Sequence, residues 1–223
     1  MKIKGAIFDM DGTLVDSLGT WDVMWQRVGE TYLGLSDFKP TEEVDKKVRT
    51  MIYKDAMAYF MAQYGIPGDL QAFIDFTLNG IEQFYREQVE AKPGAIALLK
   101  DLHKRGVRLC LASATEMKYI RIALHRLDIG KYFDAVLSCA DLHVGKDRPD
   151  VYLLSLEKLG LSAADTCVFE DSFVALETAR SIGCRTVGIF DRYNFDQHRL
   201  CAASDIYLDE GVPLDSVIDE IEV

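Results

Sequence analysis

Two carboxylates, Asp9 and Asp11, stand one residue apart where the apolar run Ala6-Ile7-Phe8 stops, and Gly12 and Thr13 follow at once. Like charges that close repel, and each loses solvation on nearing a core. The stretch is therefore either a solvated turn or a place for a cation and a phosphate-like partner. Similar junctions recur downstream. Ser113 ends "VRLCLAS", Lys146 follows "DAVLSCADLHVG", and Glu170 with Asp171 follow "TCVF".

The chemistry that uses this set is phosphoryl transfer. Side chains at i and i+2 of an extended chain project to the same side. One carboxylate can then attack phosphorus while the other handles protons. Asp9 is the candidate nucleophile, by the covalent route carboxylates use in some ATPases, and Asp11 the candidate general acid and base. Several carboxylates around a phosphate need a hard, oxygen-preferring cation, and Mg²⁺ fits. Lys146, a compact point charge, offsets negative charge on nucleophile and phosphate. The Ser113 hydroxyl and neighbouring backbone N–H groups, at Ala114 among others, can hold the remaining phosphate oxygens.

Such residues converge only if the elements before them share an edge. From Pro93 onward the pattern alternates. "GAIALLKDLHKRG" has helical spacing and a stop at Gly106, and "VRLCLAS" reads as a strand. Then come a helix in "KYIRIALHRLDIG", a strand in "DAVLS", a helix in "DVYLLSLEKLG" and a strand in "TCVFED". "SFVALETARSIG" and "RTVGIF" make another pair, and "PLDSVIDEIE" closes with a helix. Strands separated by such helices predict right-handed βαβ units and an α/β, Rossmann-like, doubly wound, mainly parallel sheet, which the strand at residues 3–8 joins. Ligands bind outside the carboxyl ends of such strands.

Residues 16–92 break the alternation. Trp21, Met24, Trp25, Val28 and Tyr32 recur at spacings of three and four, and "VDKKVRTMIYKDAMAYFMAQYG" and "LQAFIDFTLNGIEQFYREQV" read as helical too. The expected organisation is a core of residues 1–15 and 93–223 with an inserted α-helical cap domain at 16–92. Met51, Met57, Met61, Tyr59, Phe60 and Tyr64 read as helix packing, with Trp21 and Trp25 buried between helices or beneath the hinge. Lys46, Lys47, Arg49 and Lys54 read as a solvated face, with contact to a distal anionic group of a substrate as the alternative.

Bulk composition narrows the function. In the 223 residues, 36 acidic against 25 basic side chains give a net charge of −11, which argues against nucleic acid or an anionic membrane as partner. Five cysteines with no C-x-x-C pair suit a reducing compartment, and four histidines show no zinc spacing. The N-terminal apolar run is too short for a signal peptide, and no stretch approaches a membrane span. The expectation is a cytoplasmic protein acting on a small phosphorylated metabolite, with no protein partner implied.

Each residue alone has a plainer reading. Asp9 and Asp11 could be a solvated turn, Ser113 an ordinary strand-end polar residue and Lys146 a surface lysine. Glu170 and Asp171 could favour the next helix through its dipole, with Asp171 or Ser172 as its N-cap. Their joint occurrence, in order, at strand ends overturns those readings.

"DMDGT", then Ser113 in "LASAT", Lys146 in "GKDRPD" and finally "FEDS", resemble the four ordered motifs of the haloacid dehalogenase superfamily. The helical insert resembles the cap of its β-phosphoglucomutase-like and phosphoglycolate-phosphatase-like branch. The resemblance implies Asp9 as nucleophile and Asp11 as general acid/base. It implies Mg²⁺ held by the Asp9 carboxylate, the Asp11 main-chain carbonyl and Asp171, with Glu170 assisting, and Ser113, Ala114 and Lys146 on the transferring phosphoryl group. The chain departs from the pattern at Asp147, where the branch usually has proline, and at Ala175, where glycine is usual. Trp21 stands where mutases often carry histidine, Thr13 follows "DMDG", and no mutase specificity loop is recognisable. These last three features favour a phosphatase over the alternative, a phosphomutase. A non-catalytic phosphometabolite-binding protein would be expected to have lost Asp9 or the acidic pair. A dehalogenase would not need Asp11 and the acidic pair for Mg²⁺.

Overall fold

The computed structural model describes residues 1–51, 53–194 and 196–222, leaving the side chains of Lys46, Arg49 and Thr50 outside the description. Two of the four cations raised above, Lys46 and Arg49, therefore lie outside the described side chains. The chain forms two compact units, Met1–Leu18 with Val89–Val223, and Gly19–Gln88.

Among the described residues the larger unit has eight strands: β1 Gly5–Phe8, β2 Val15–Asp16, β3 Glu90–Ala91, β4 Arg108–Ser113, β5 Ala135–Ser138, β6 Thr166–Glu170, β7 Arg185–Ile189 and β8 Ile206–Leu208. Six of them make one parallel sheet in the order β5-β4-β1-β6-β7-β8. The order runs outward in both directions from β1, the doubly wound arrangement. Strands covered on both faces need continuous apolar sequence, which is why β1 and β6 carry no outward polar alternation. Register makes Ile7, Cys110 and Val168 neighbours on one face. There they join Tyr152 and Leu156 of α8 (Asp150–Leu159) and Ala179 of α9 (Phe173–Ser181). On the next register row Phe8 stacks on Phe169 with ring centroids 4.3 Å apart.

Several boundaries differ from the sequence expectation. The first strand begins at Gly5 rather than residue 3. Helix α6 (Met117–Arg126) stops early, because Asp128 takes a left-handed backbone (φ 53°) and a 3₁₀ turn, Gly130–Tyr132, follows. The closing helix, Leu214–Glu220, is 3₁₀. Strand β8 and the short helices α7 (Cys139–Leu142) and α10 (Gln197–Ala203) have too few residues to show a period. β2 and β3 pair antiparallel, Val15 with Ala91 and Asp16 with Glu90.

Among the described residues the regular elements of the smaller unit are all helical: α1 (Thr20–Val28), α2 (Glu42–Thr50), α3 (Tyr53–Tyr64) and α4 (Leu70–Glu87). The Trp21-to-Tyr32 period is carried by α1 and then by a π-helical turn, Gly29–Leu33, rather than by one helix. The stretch 44–65, read as helical, is interrupted at Met51, whose backbone is extended. Thr41 and Asp69 cap α2 and α4 by accepting from the N–H groups of Val44 and Ala72. The core gathers Met24, Trp25, Val28, Met57, Phe60 and Phe73, with Met51, Tyr59, Met61 and Tyr64 packed against it. Trp25 stacks on Phe60 at 4.1 Å and donates its indole N–H to Asp45 Oδ1 at 3.0 Å. Trp21 is half-buried, its ring 5.6 Å from that of Trp25. No helix of the described residues is long and apolar enough to cross a membrane.

Candidate active site

Reversal of strand order at β1 leaves a crevice beyond the carboxyl ends of β1 and β6, the place where open α/β sheets bind ligands. Asp9 follows β1, Ser113 ends β4, and Glu170 with Asp171 ends β6. The Asp9 N–H donates to Phe169 O at 3.0 Å, which sets the first acidic motif beside the last. A cleft of about 420 Å³ opens there, and Asp9, Asp11, Ser113, Ala114, Lys146, Glu170 and Asp171 all line it.

The loop after β1 turns back on itself. The N–H groups of Leu14 and Val15 both donate to Met10 O, each at 2.9 Å. Gly12 sits at φ +86°, and a Cβ there would collide with Asp171 Oδ2 and crowd Leu18. Backbone conformation and close approach both require glycine at this position.

Lys146 is the cationic centre. Its Nζ lies 2.5 Å from Asp9 Oδ1 and 2.6 Å from Glu170 Oε1, and its side chain is only 10% exposed, so it is no surface lysine. Burial acts to lower its pKa, but Asp9 and Glu170 more than reverse this and hold the ammonium well above the ordinary lysine value. Burial drives the Asp9 carboxyl up to about 7. Lys146 pulls it down, while the charges of Glu170 and Asp11 push it further up. Asp171 is raised well above the usual carboxylate range by burial, then by Glu170 and Asp9, with the Thr13 hydrogen bond opposing. Tyr152 donates to Glu170 Oε1 at 3.3 Å, and burial beside that carboxylate holds its phenol high.

Glu170 Oε2 accepts from the N–H groups of Asp171 (3.0 Å) and Ser172 (3.4 Å), just ahead of α9, and the Ser172 side chain makes no capping hydrogen bond. Asp11 is held differently. Its carboxylate accepts from Ser17 Oγ at 2.5 Å and Thr115 Oγ1 at 2.6 Å, with Ser113 Oγ at 3.5 Å. Ser113 Oγ in turn accepts from Thr115 N at 3.1 Å.

Carboxylate oxygens of Asp9, Glu170 and Asp171, all buried, lie within 4.8 Å of one another. Three oxygen donors so close, two of them with raised pKa values, form a set that fits a hard divalent cation. The Asp11 carboxylate stands outside the trio.

Ser17, Thr115 and Asn194 were not singled out from the sequence. Asn194 donates to Asp171 O at 2.9 Å and to Asp171 Oδ2. It follows β7, and the strand-end rule applied to "RTVGIF" would have pointed there. Ser17 and Thr115 carry no comparable signal, being short hydroxyl residues in polar loops. Asp147 adds a carboxylate to the cleft wall beside Lys146.

Residues 3–183 match the family model of the haloacid dehalogenase-like hydrolases. The chain belongs to that family. Among the relatives of this haloacid dehalogenase-like hydrolase, a "Phosphorylated carbohydrates phosphatase" of Thermotoga maritima is 28% identical over 221 residues, 98% of this chain and 100% of that protein. "Hexitol phosphatase A" of Escherichia coli is 32% identical over 190 residues, 85% of this chain and 84% of the other. A Thermotoga maritima crystal structure described as a candidate beta-phosphoglucomutase superposes with a TM-score of 0.83 at 27% identity, covering 98% and 99% of the two chains.

Proposed function

We propose that the protein is a Mg²⁺-dependent phosphatase that hydrolyses a small phosphorylated metabolite, of the sugar-phosphate or phosphoglycolate type, through an aspartyl-phosphate intermediate. The observation that carries this reading is Asp9, buried at the cleft floor against Lys146 and grouped with Glu170 and Asp171. The names of the relatives agree with it, and so does the chain's place among hydrolases.

Asp9 attacks phosphorus, and the bond to the leaving oxygen breaks as Asp11 gives that oxygen a proton. Asp11, now ionised, takes a proton from water, which attacks the aspartyl phosphate and frees inorganic phosphate and Asp9. Ser113, Lys146 and the Ala114 N–H hold the phosphoryl oxygens. Asp9, Asp171 and Glu170, with the Asp11 carbonyl, would hold Mg²⁺, which when bound offsets the negative charge gathered between phosphoryl oxygens and carboxylates. The helical unit 19–88 serves as the cap that excludes bulk water during transfer and selects the leaving group. The expected setting is the cytoplasm.

Phosphate release from a panel of sugar, polyol and glycolate phosphates with Mg²⁺ tests the reading. At least one should be hydrolysed, and Asp9→Asn should lower that rate by about 10⁴-fold or more. Unchanged phosphate release in Asp9→Asn would sink the proposal. Isomer formation without phosphate release would instead favour a phosphomutase, for which the candidate beta-phosphoglucomutase neighbour speaks.

A further inference from the structure

The mechanism above asks nothing of Asn194, yet Asp171 leans on it. The Asn194 side-chain nitrogen donates to Asp171 twice, to the main-chain oxygen at 2.9 Å and to carboxylate Oδ2. Thr13 Oγ1 donates to the other carboxylate oxygen, Oδ1, at 2.9 Å. The Asp171 carboxylate is thus gripped at both oxygens from opposite motifs. Both acceptors face one end of the Asn194 amide, and only its NH₂ can satisfy them.

The segment that delivers this amide is braced on three sides. Asn194 N donates to Asp191 O at 3.0 Å, and Tyr193 N to Asp191 Oδ1 at 2.9 Å. Gln197 Nε2 donates to Asp191 O at 2.6 Å and to Asn194 O at 3.3 Å, while Gln197 Oε1 accepts from Tyr207 OH at 2.9 Å. Asp191 is 3% exposed and pairs with Lys92 Nζ at 2.8 Å. An ion pair so well buried is costly to break, which holds the segment in place.

Left alone, a buried carboxylate beside two others turns away from them to relieve repulsion. We propose that Asn194 is a positioning residue that, with Thr13, locks the Asp171 rotamer toward Asp9 and Glu170 and so tightens binding of the divalent ion. The inference rests on the metal reading given under the proposed function. Partners of this kind behind a metal ligand are worth about 10- to 100-fold in affinity.

The test uses the full chain without substrate and Mn²⁺ as the probe, with free Mn²⁺ read by electron paramagnetic resonance. Asn194→Ala should weaken Mn²⁺ binding by about 10- to 100-fold. Asn194→Leu, which keeps the shape and removes the donors, should do the same. In turnover, the Mg²⁺ concentration for half-maximal rate should rise by the same factor while KM for the organic substrate stays put. Asp171→Ala serves as the reference and should abolish tight binding. Wild-type Mn²⁺ affinity in both Asn194 variants, with binding lost in Asp171→Ala, overturns the positioning role. Collapse of the metal-free Tm in both Asn194 variants assigns the residue to folding and overturns it equally. Wild-type affinity in Asp171→Ala would remove the metal reading itself, and this inference with it.

Discussion

Burial holds Asp9 at a cost to the folded chain. The native carboxyl releases its proton near pH 7, against 3.8 for the free side chain, chiefly because it is buried. Between roughly pH 4 and 7 the unfolded chain ionises at this residue and the native chain does not. Native stability therefore falls as pH rises through that window, and the loss persists above it. Asp9→Asn removes the effect. The metal-free variant should melt higher than wild type at pH 7.5, by about 2–4 °C for each kcal/mol released, with the gap closing toward pH 4. Differential scanning fluorimetry across pH checks this, and a gap that does not change with pH would refute it. Asp9, Asp11, Ser113, Lys146, Glu170 and Asp171 could be named from the sequence because each lies at or after the end of an apolar run. Ser17 and Thr115 could not be ranked above other loop residues, because their importance lies only in what they touch, whereas Asn194 lies past β7, within reach of the same strand-end rule.

Among the elements, period and length governed what could be read. Helices α4, α5 (Ala95–Lys104) and α8 each repeat an apolar face over several turns and were legible. The π turn at Gly29–Leu33 was not, since the apolar spacing continues through Tyr32 while the hydrogen bonding changes. The break at Met51 was equally hidden, because apolar residues continue on both sides of it. Within the helical unit, Trp25 is a large, fully buried side chain: it is 1% exposed, stacked on Phe60 and bonded to Asp45. Trp25→Ala should destabilise this unit by about 3–5 kcal/mol. In a denaturant titration followed by circular dichroism, an early helical transition should separate from that of the sheet unit. A single transition at the wild-type midpoint would contradict the assignment of Trp25 as its keystone.

At the scale of the whole molecule, an acidic chain gathers three buried carboxylates at one switch point and sets Lys146 among them. A divalent ion taken up there must displace protons, Asp9 among the sources. The rise in Tm on adding Mg²⁺ should therefore grow from about pH 5.5 to about pH 7.5 and then level off. At a hundredfold excess over Kd the stabilisation is about 2.7 kcal/mol. Fluorimetry with and without Mg²⁺ at each pH checks this. A rise that shrinks with pH would mean that the ion binds elsewhere.

From the sequence alone one could read the alternation of strands and helices, the helical insert and the ordered acidic, hydroxyl and lysine motifs, because each is written in neighbouring residues. Tertiary structure alone decided that Asn194 and Thr13 grip the Asp171 carboxylate between them, and that Ser17 and Thr115 hold that of Asp11. Those contacts depend on the order in which parallel strands are laid down. That order is set by long-range packing and register, which no local pattern of residues encodes.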